Sequence, residues 1–263
     1  MPGAAPDKQR TARVLGLVAI VVIGLIVGLV GVRFLYDRAR SDGGGSAAQG
    51  VPGSSARPPR SPSTSTDPSR SALSSLIVKP EDVATSLPVV LLLGGDGLSQ
   101  PTLDLCNGTF PSESRRTARL QDVVLDEKAE AVLSTEAVLY RDAAAAEKAM
   151  SELDSVVASC PSTPVASPVG EPAATTTFNP RPDGDWPQTP SVNRKAFDFN
   201  SVDESGQTSH YVAVYLQRGR ALMGVYFPKP EAPPAVAGQT TISGIVGVFA
   251  ERMAALPASV VGS

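Results

Sequence analysis

The spacing of apolar and polar positions divides this chain into three unlike parts. Residues 14–32 form an unbroken apolar run of nineteen residues. As a helix it measures roughly 28 Å, the hydrocarbon thickness of a bilayer. Arg13 and Arg33 bracket the run, and Phe34 and Tyr36 follow where aromatic rings suit the headgroup interface. A cleaved signal peptide is the rival reading, but it calls for a shorter apolar core and a small-residue cleavage site, whereas VRFLYD follows here. The expectation is a retained transmembrane helix over 14–32 behind a short cytoplasmic tail over 1–13. Gly24 and Gly28 make one GxxxG spacing, a frequent coincidence in a glycine-bearing span.

Periodicity then vanishes. Residues 41–75 hold eleven Ser, five Gly and five Pro, no aromatic residue, and only Val51 and Leu73 as sizeable aliphatics. Such a composition buries too little apolar surface to offset its ordering entropy, so 33–75 reads as a disordered linker.

From Leu76 onward the pattern returns, and one α+β domain is expected over 76–257. Lys79 and Pro80, followed by Glu81 and Asp82, open a short helix. The apolar run 89–93 ends at a Gly94-Gly95-Asp96-Gly97 turn and reads equally as strand or helix. Residues 119–125 and 131–141 alternate as strands with a short hairpin between them. Asp142 then caps a helix whose Ala146, Ala149, Met150, Leu153, Val157 and Cys160 form one stripe, with Glu147, Lys148, Glu152 and Asp154 facing elsewhere. Residues 161–190 are proline-rich and read as a long surface loop. Three further strands, 194–200, 209–217 and 221–227, precede a helix over 240–256. Short hairpins make the sheet mostly antiparallel and five-stranded, flanked by helices. Six of the eleven aromatic residues beyond Leu76 fall between Phe197 and Phe227, which reads as packed core before it reads as a pocket.

Charge sharpens this division. The whole chain has a net charge of −3, but residues 1–75 carry nine Lys/Arg against four Asp/Glu, and the remainder fourteen against twenty-two. An acidic domain excludes a nucleic-acid partner, which is held by clustered Lys and Arg. One His and two Cys leave little for a metal site, and no cofactor motif is present. Basic residues are balanced across the apolar run, so orientation rests on the linker and the cysteines. Both favour an extracytoplasmic C-terminal domain. In an oxidising compartment Cys106 and Cys160 would pair, closing a loop of 54 residues and contributing about 4 kcal/mol. Two unpaired thiols in a cytoplasmic domain are the alternative.

Candidate chemistry is sparse. His210 is the only histidine and no G-x-S-x-G elbow accompanies it, so no catalytic residue is assigned. Arg115, Arg116 and Arg119 beside Glu113 could hold an anion, against the simpler reading of a solvated face. Asp183, Asp185 and Trp186 place two carboxylates and the sole indole in the long loop, where a sugar or cation could bind. Asp-Gly-Asp is also a common turn. Asn107, Gly108 and Thr109 match a glycosylation sequon.

Leu105-Cys106 before the first strands, and the Ala-rich helix 143–160 ending in Cys, resemble actinobacterial extracytoplasmic sensor-like domains. These are the external domains of mycobacterial kinase-H-type receptor Ser/Thr kinases and related surface lipoproteins. The resemblance covers about 80–256. It departs in having two cysteines where that family usually has four, no Trp shortly before Cys160, and no kinase domain. It implies a non-enzymatic domain with a cleft for an envelope ligand. The expected function is therefore a membrane-anchored binding or sensor-like module, held in the cell membrane through 14–32. Its partner would be an unknown envelope ligand or membrane protein. A docking subunit of the envelope is the alternative, and an envelope hydrolase a distant third.

Overall fold

A computed structural model describes residues 68–166 and 173–262. The expected cytoplasmic tail, transmembrane helix and most of the linker lie outside them. Among the described residues no helix is long and apolar enough to cross a membrane.

Seven antiparallel strands form one sheet: β1 (Val89–Leu91), β2 (Arg116–Leu125), β3 (Ala131–Tyr140), β4 (Ala174–Phe178), β5 (Asn193–Asp203), β6 (Thr208–Arg218) and β7 (Ala221–Phe227), in the order β1-β2-β3-β7-β6-β5-β4. The α+β class holds, but the sheet has seven strands and not five. Both extra strands are edges. β1 settles the ambiguous apolar run as a strand, and β4 lies inside the stretch read as a surface loop. A TTTF segment flanked by prolines is too short and too polar to show its alternation, and its pairing with β5 supplies what periodicity did not.

The helices are α1 (Pro68–Leu76), α2 (Ala143–Ala158), α3 (Ile242–Ala254) and a final turn α4 (Ala258–Val261). α1 occupies the end of the span assigned to the linker. Its Leu73 and Leu76 are buried in the core, so the fold begins at least eight residues before Leu76. Lys79 and Asp82 close a single 3-10 turn, Pro80–Asp82, rather than a longer helix. Asp142 caps α2 as expected, its Oδ1 accepting from Ala145 N at 2.8 Å.

β6 and β7 sit at the centre, and alternation sends their side chains to two cores. On the first face Val212, Val214, Leu216, Met223 and Val225 meet α1 and α3. On the second, Tyr211, Ala213, Tyr215, Leu222 and Tyr226 meet α2. Gly219 turns the β6–β7 hairpin at φ +54, and a Cβ there would stand 2.2 Å from Val261 O, so only glycine lets α4 close over the turn.

Candidate functional site

The second face of the sheet divides into two unlike halves. Beneath α2, the rings of Phe197, Phe199, Tyr211, Tyr215 and Tyr226 pack edge to face or stacked, with centroids 5.4–6.1 Å apart where they meet. All five are buried, so the aromatic cluster is core and not the lining of a pocket.

Beneath the 92–115 segment the same face is polar. A bulge between Arg116 and Ala118 inserts one residue into β2. Arg116 and Arg119, three apart, therefore share the inward face instead of alternating across it. Arg119 Nε pairs with Glu136 on β3, and its Nη2 bonds Gln121 Oε1, while Nη1 donates to Gly94 O at 3.0 Å. Arg116 donates to Thr102 Oγ1 at 2.7 Å and Leu98 O at 2.9 Å, and stands 3.0 Å from Glu113 Oε2. Thr102 Oγ1 in turn donates to Glu136 Oε1 at 2.7 Å, and Tyr226 Oη donates to Thr102 O at 3.1 Å. Gly224 makes room for that tyrosine, since a Cβ there would lie 2.3 Å from its hydroxyl. Burial pushes the Glu113 carboxyl up to about 7, against the pull of Arg116 and the Thr102 N–H, and Glu136 adds to the rise.

The expected anion site is therefore split. Arg115 is exposed, whereas Arg116 and Arg119 are buried and committed to fastening the loop onto the sheet. Glu152, which lies off the apolar stripe of α2, is buried too: it accepts from Ser112 N at 3.1 Å and Ser112 Oγ at 2.6 Å, holding the same loop to α2.

The Asp183 loop joins β4 to β5 at the far end of the sheet, with β3, β7 and β6 between β2 and β5. Asp183 is buried and accepts from Arg181 Nη2 at 2.9 Å and Arg194 Nε at 3.3 Å. Burial alone would raise its pKa; hydrogen bonds and charge from Arg181, then Arg194, win and lower it. Arg194 also donates to Trp186 O at 3.2 Å, and its guanidinium lies 5.4 Å from the indole centroid. Asp183 and Trp186 thus form a clamp on Arg194, and Asp185 is left exposed. The structure does not bring the Arg115–Arg119 group and the Asp183–Trp186 group together.

What Arg194 borders is an open cleft of about 490 Å³ between α2 and the start of β5. Met150, Ser151, Asp154, Asn193, Lys195 and Gln217 line it. Lys195 pairs with Asp154 across it, and Asn193 Nδ2 donates to Gln217 Oε1 at 2.6 Å. These residues escaped the sequence reading because Lys195 and Asp154 are 41 positions apart and meet only when α2 docks on β5.

Cys106 and Cys160 are bonded, with Cα atoms 5.6 Å apart. Cys106 and Asn107 adopt positive φ in the tight turn that presents the sulfur. Asn107 Nδ2 donates to Val165 O at 2.9 Å, so the sequon side chain is engaged in the fold. His210 is exposed, its Nε2 2.9 Å from Asp198 Oδ1. No group of three metal-ligating side chains occurs among the described residues.

No protein-family model matches the chain, and no curated protein matches it. Among solved structures, the chain is similar to the extracellular domain of PknH from Mycobacterium tuberculosis. The identity is 13% and the TM-score 0.39, over 70% of this chain and 93% of that one. At those values no residue role passes from that domain to this chain.

Proposed function

We propose that the chain is a membrane-anchored extracytoplasmic module that binds a small polar ligand without transforming it. The observation that carries this reading is the Cys106–Cys160 bond, which ties the turn before β2 to the end of α2. Such a bond forms and persists in oxidising compartments, and the apolar 14–32 segment supplies the anchor. The binding locus is the α2–β5 cleft. Its lining offers amide donors and acceptors and a Lys–Asp pair over a small apolar floor, which matches a ligand with several polar groups rather than a lipid chain. For a hydrolytic role, the described residues offer an exposed His210–Asp198 pair at the sheet surface.

Native mass spectrometry of the full chain, solubilised from its own membrane, tests the reading. A co-purifying small molecule that is lost in Lys195→Ala or Asn193→Ala supports it. A clean mass of the chain alone, with the cleft variants unchanged, contradicts it.

A further inference from the structure

The second distinctive surface lies at the β1 edge of the sheet. Leu91, Leu93 and Leu98 are the exposed large apolar side chains of the described residues, at 45%, 55% and 44% exposure, and all three fall within eight residues of one another. Leu92 N donates to Gln121 O and Leu125 N to Pro88 O, so these atoms and the backbone of Val90 face β2, while Leu92 O accepts from Gly95 N. By alternation, the N–H and C=O groups of Val89 and Leu91 point outward along an open edge, and Leu93 follows in the turn that ends it. Edge strands are usually blunted by charge, yet no charged side chain occurs between Pro88 and Gly95. β4, at the opposite edge, carries three threonines and is bridged at Ala174 by Val165.

The leucines are also held in place from below. Arg119 donates to Gly94 O and Arg116 to Leu98 O, so the turn that carries Leu93 and Leu98 is fixed from the sheet side with its apolar face outward. A solvent-facing apolar edge pinned in this way is prepared for a partner.

We propose that this edge pairs with the same edge of a second copy of the chain, the two β1 strands running antiparallel about a two-fold axis so that the sheets become continuous. An antiparallel strand edge is self-complementary under a two-fold, and the partner strand satisfies the outward backbone groups while leucine packs on leucine. A bilayer could cover the leucines but would leave those N–H and C=O groups unpaired in hydrocarbon. The way the chain enters the domain favours a copy over an unrelated protein. α1 begins at Pro68 beside this edge, with Arg70 Nη1 3.3 Å from Asp96 Oδ2 in the same turn. Residues 33–67 separate α1 from the apolar 14–32 segment. Copies anchored in one membrane would carry their β1 edges on tethers of 35 residues, which makes edge-to-edge encounter more frequent than in free solution. The inference rests on the anchoring reading and not on any ligand in the cleft.

The test uses the full chain in membranes of a bacterial host, with a photo-crosslinking amino acid in place of Leu93. A crosslinked dimer is expected, joined from position 93 to residues 88–98 of the other copy. Leu91→Lys with Leu98→Glu lowers its yield at least about tenfold without changing the melting temperature, because the substituted side chains are exposed. Leu91→Pro, which deletes one outward N–H and leaves the ladder to β2 intact, lowers it as well. Crosslinks to lipid or to another protein overturn the proposal. So does a dimer whose crosslinks scatter over the domain and ignore these substitutions, and so does a chain that stays in the membrane fraction without crosslinking. Recovery in the soluble fraction is a separate result that overturns the anchoring instead. The same crosslink on the soluble chain, at roughly millimolar protein, then decides the pairing.

Discussion

The two halves of the sheet's second face are covered in opposite ways. Under α2 the covering element is a helix with an apolar stripe, and Ala146, Ala149 and Leu153 pack in one cluster with the aromatic rings of the sheet. Under the 92–115 segment the cover is an irregular chain with little regular structure. It is held by buried guanidinium groups that bond its carbonyls and by the carboxylates that balance them. A loop brings unpaired backbone groups to a buried surface, and arginine, with five donors in a fixed fork, satisfies several at once. The difference teaches that charge within a core can serve as loop fastening, and that a run of arginines in sequence is no guide to whether they face solvent.

Removing one clamp tests this contrast most severely. Arg119→Ala leaves Glu136 buried without its partner and costs about 3–5 kcal/mol in denaturant unfolding, whereas Arg119→Met together with Glu136→Leu recovers most of the loss. On the other half, Leu153→Ala opens a dry cavity under α2 and costs about 3 kcal/mol. Hydrogen exchange then separates the two halves. The arginine variant speeds exchange in residues 94–104, and the leucine variant speeds it in α2.

A pH series sharpens the contrast further. The Glu113 carboxyl titrates near 7 in the fold and near 4.5 when unfolded, so between those values the folded chain holds the extra proton. Stability from this group is greatest below about pH 4.5 and falls as pH rises to about 7, by up to roughly 3 kcal/mol. Glu113→Gln flattens that part of the profile, as read from unfolding midpoints of the two proteins at each pH. The smallest effect belongs to the exposed member of the arginine group: Arg115→Ala changes stability by less than about 0.5 kcal/mol.

The readable parts of the fold were those governed by local repetition. The α2 stripe, its Asp142 cap, the β2–β3 hairpin and the doubly apolar β6 and β7 all follow from spacing within one element. What escaped depended on partners far away in sequence. β4 exists because β5 pairs with it, and α1 is buried because β2 and β3 receive Leu73 and Leu76 despite a linker-like composition around them. The candidate site followed the same division. Strict alternation separates Arg116 from Arg119, and only the bulge in β2 turns them to one side, toward a Glu136 that lies 17 positions from Arg119. Asp183 and Trp186 stand three positions apart in the sequence, which brings them into one loop. Their use, however, is set by Arg194, which reaches them from β5 and carries the cleft on its other flank.

A thiol count on the native chain, isolated from its own cells without reductant, tests the extracytoplasmic placement most directly. Exposed to a maleimide under denaturing conditions, the chain should take up no label before reduction and two labels after it, because Cys106 and Cys160 are its only cysteines and are bonded to each other. Two labels without reduction would contradict both the bond and the extracytoplasmic placement that rests on it.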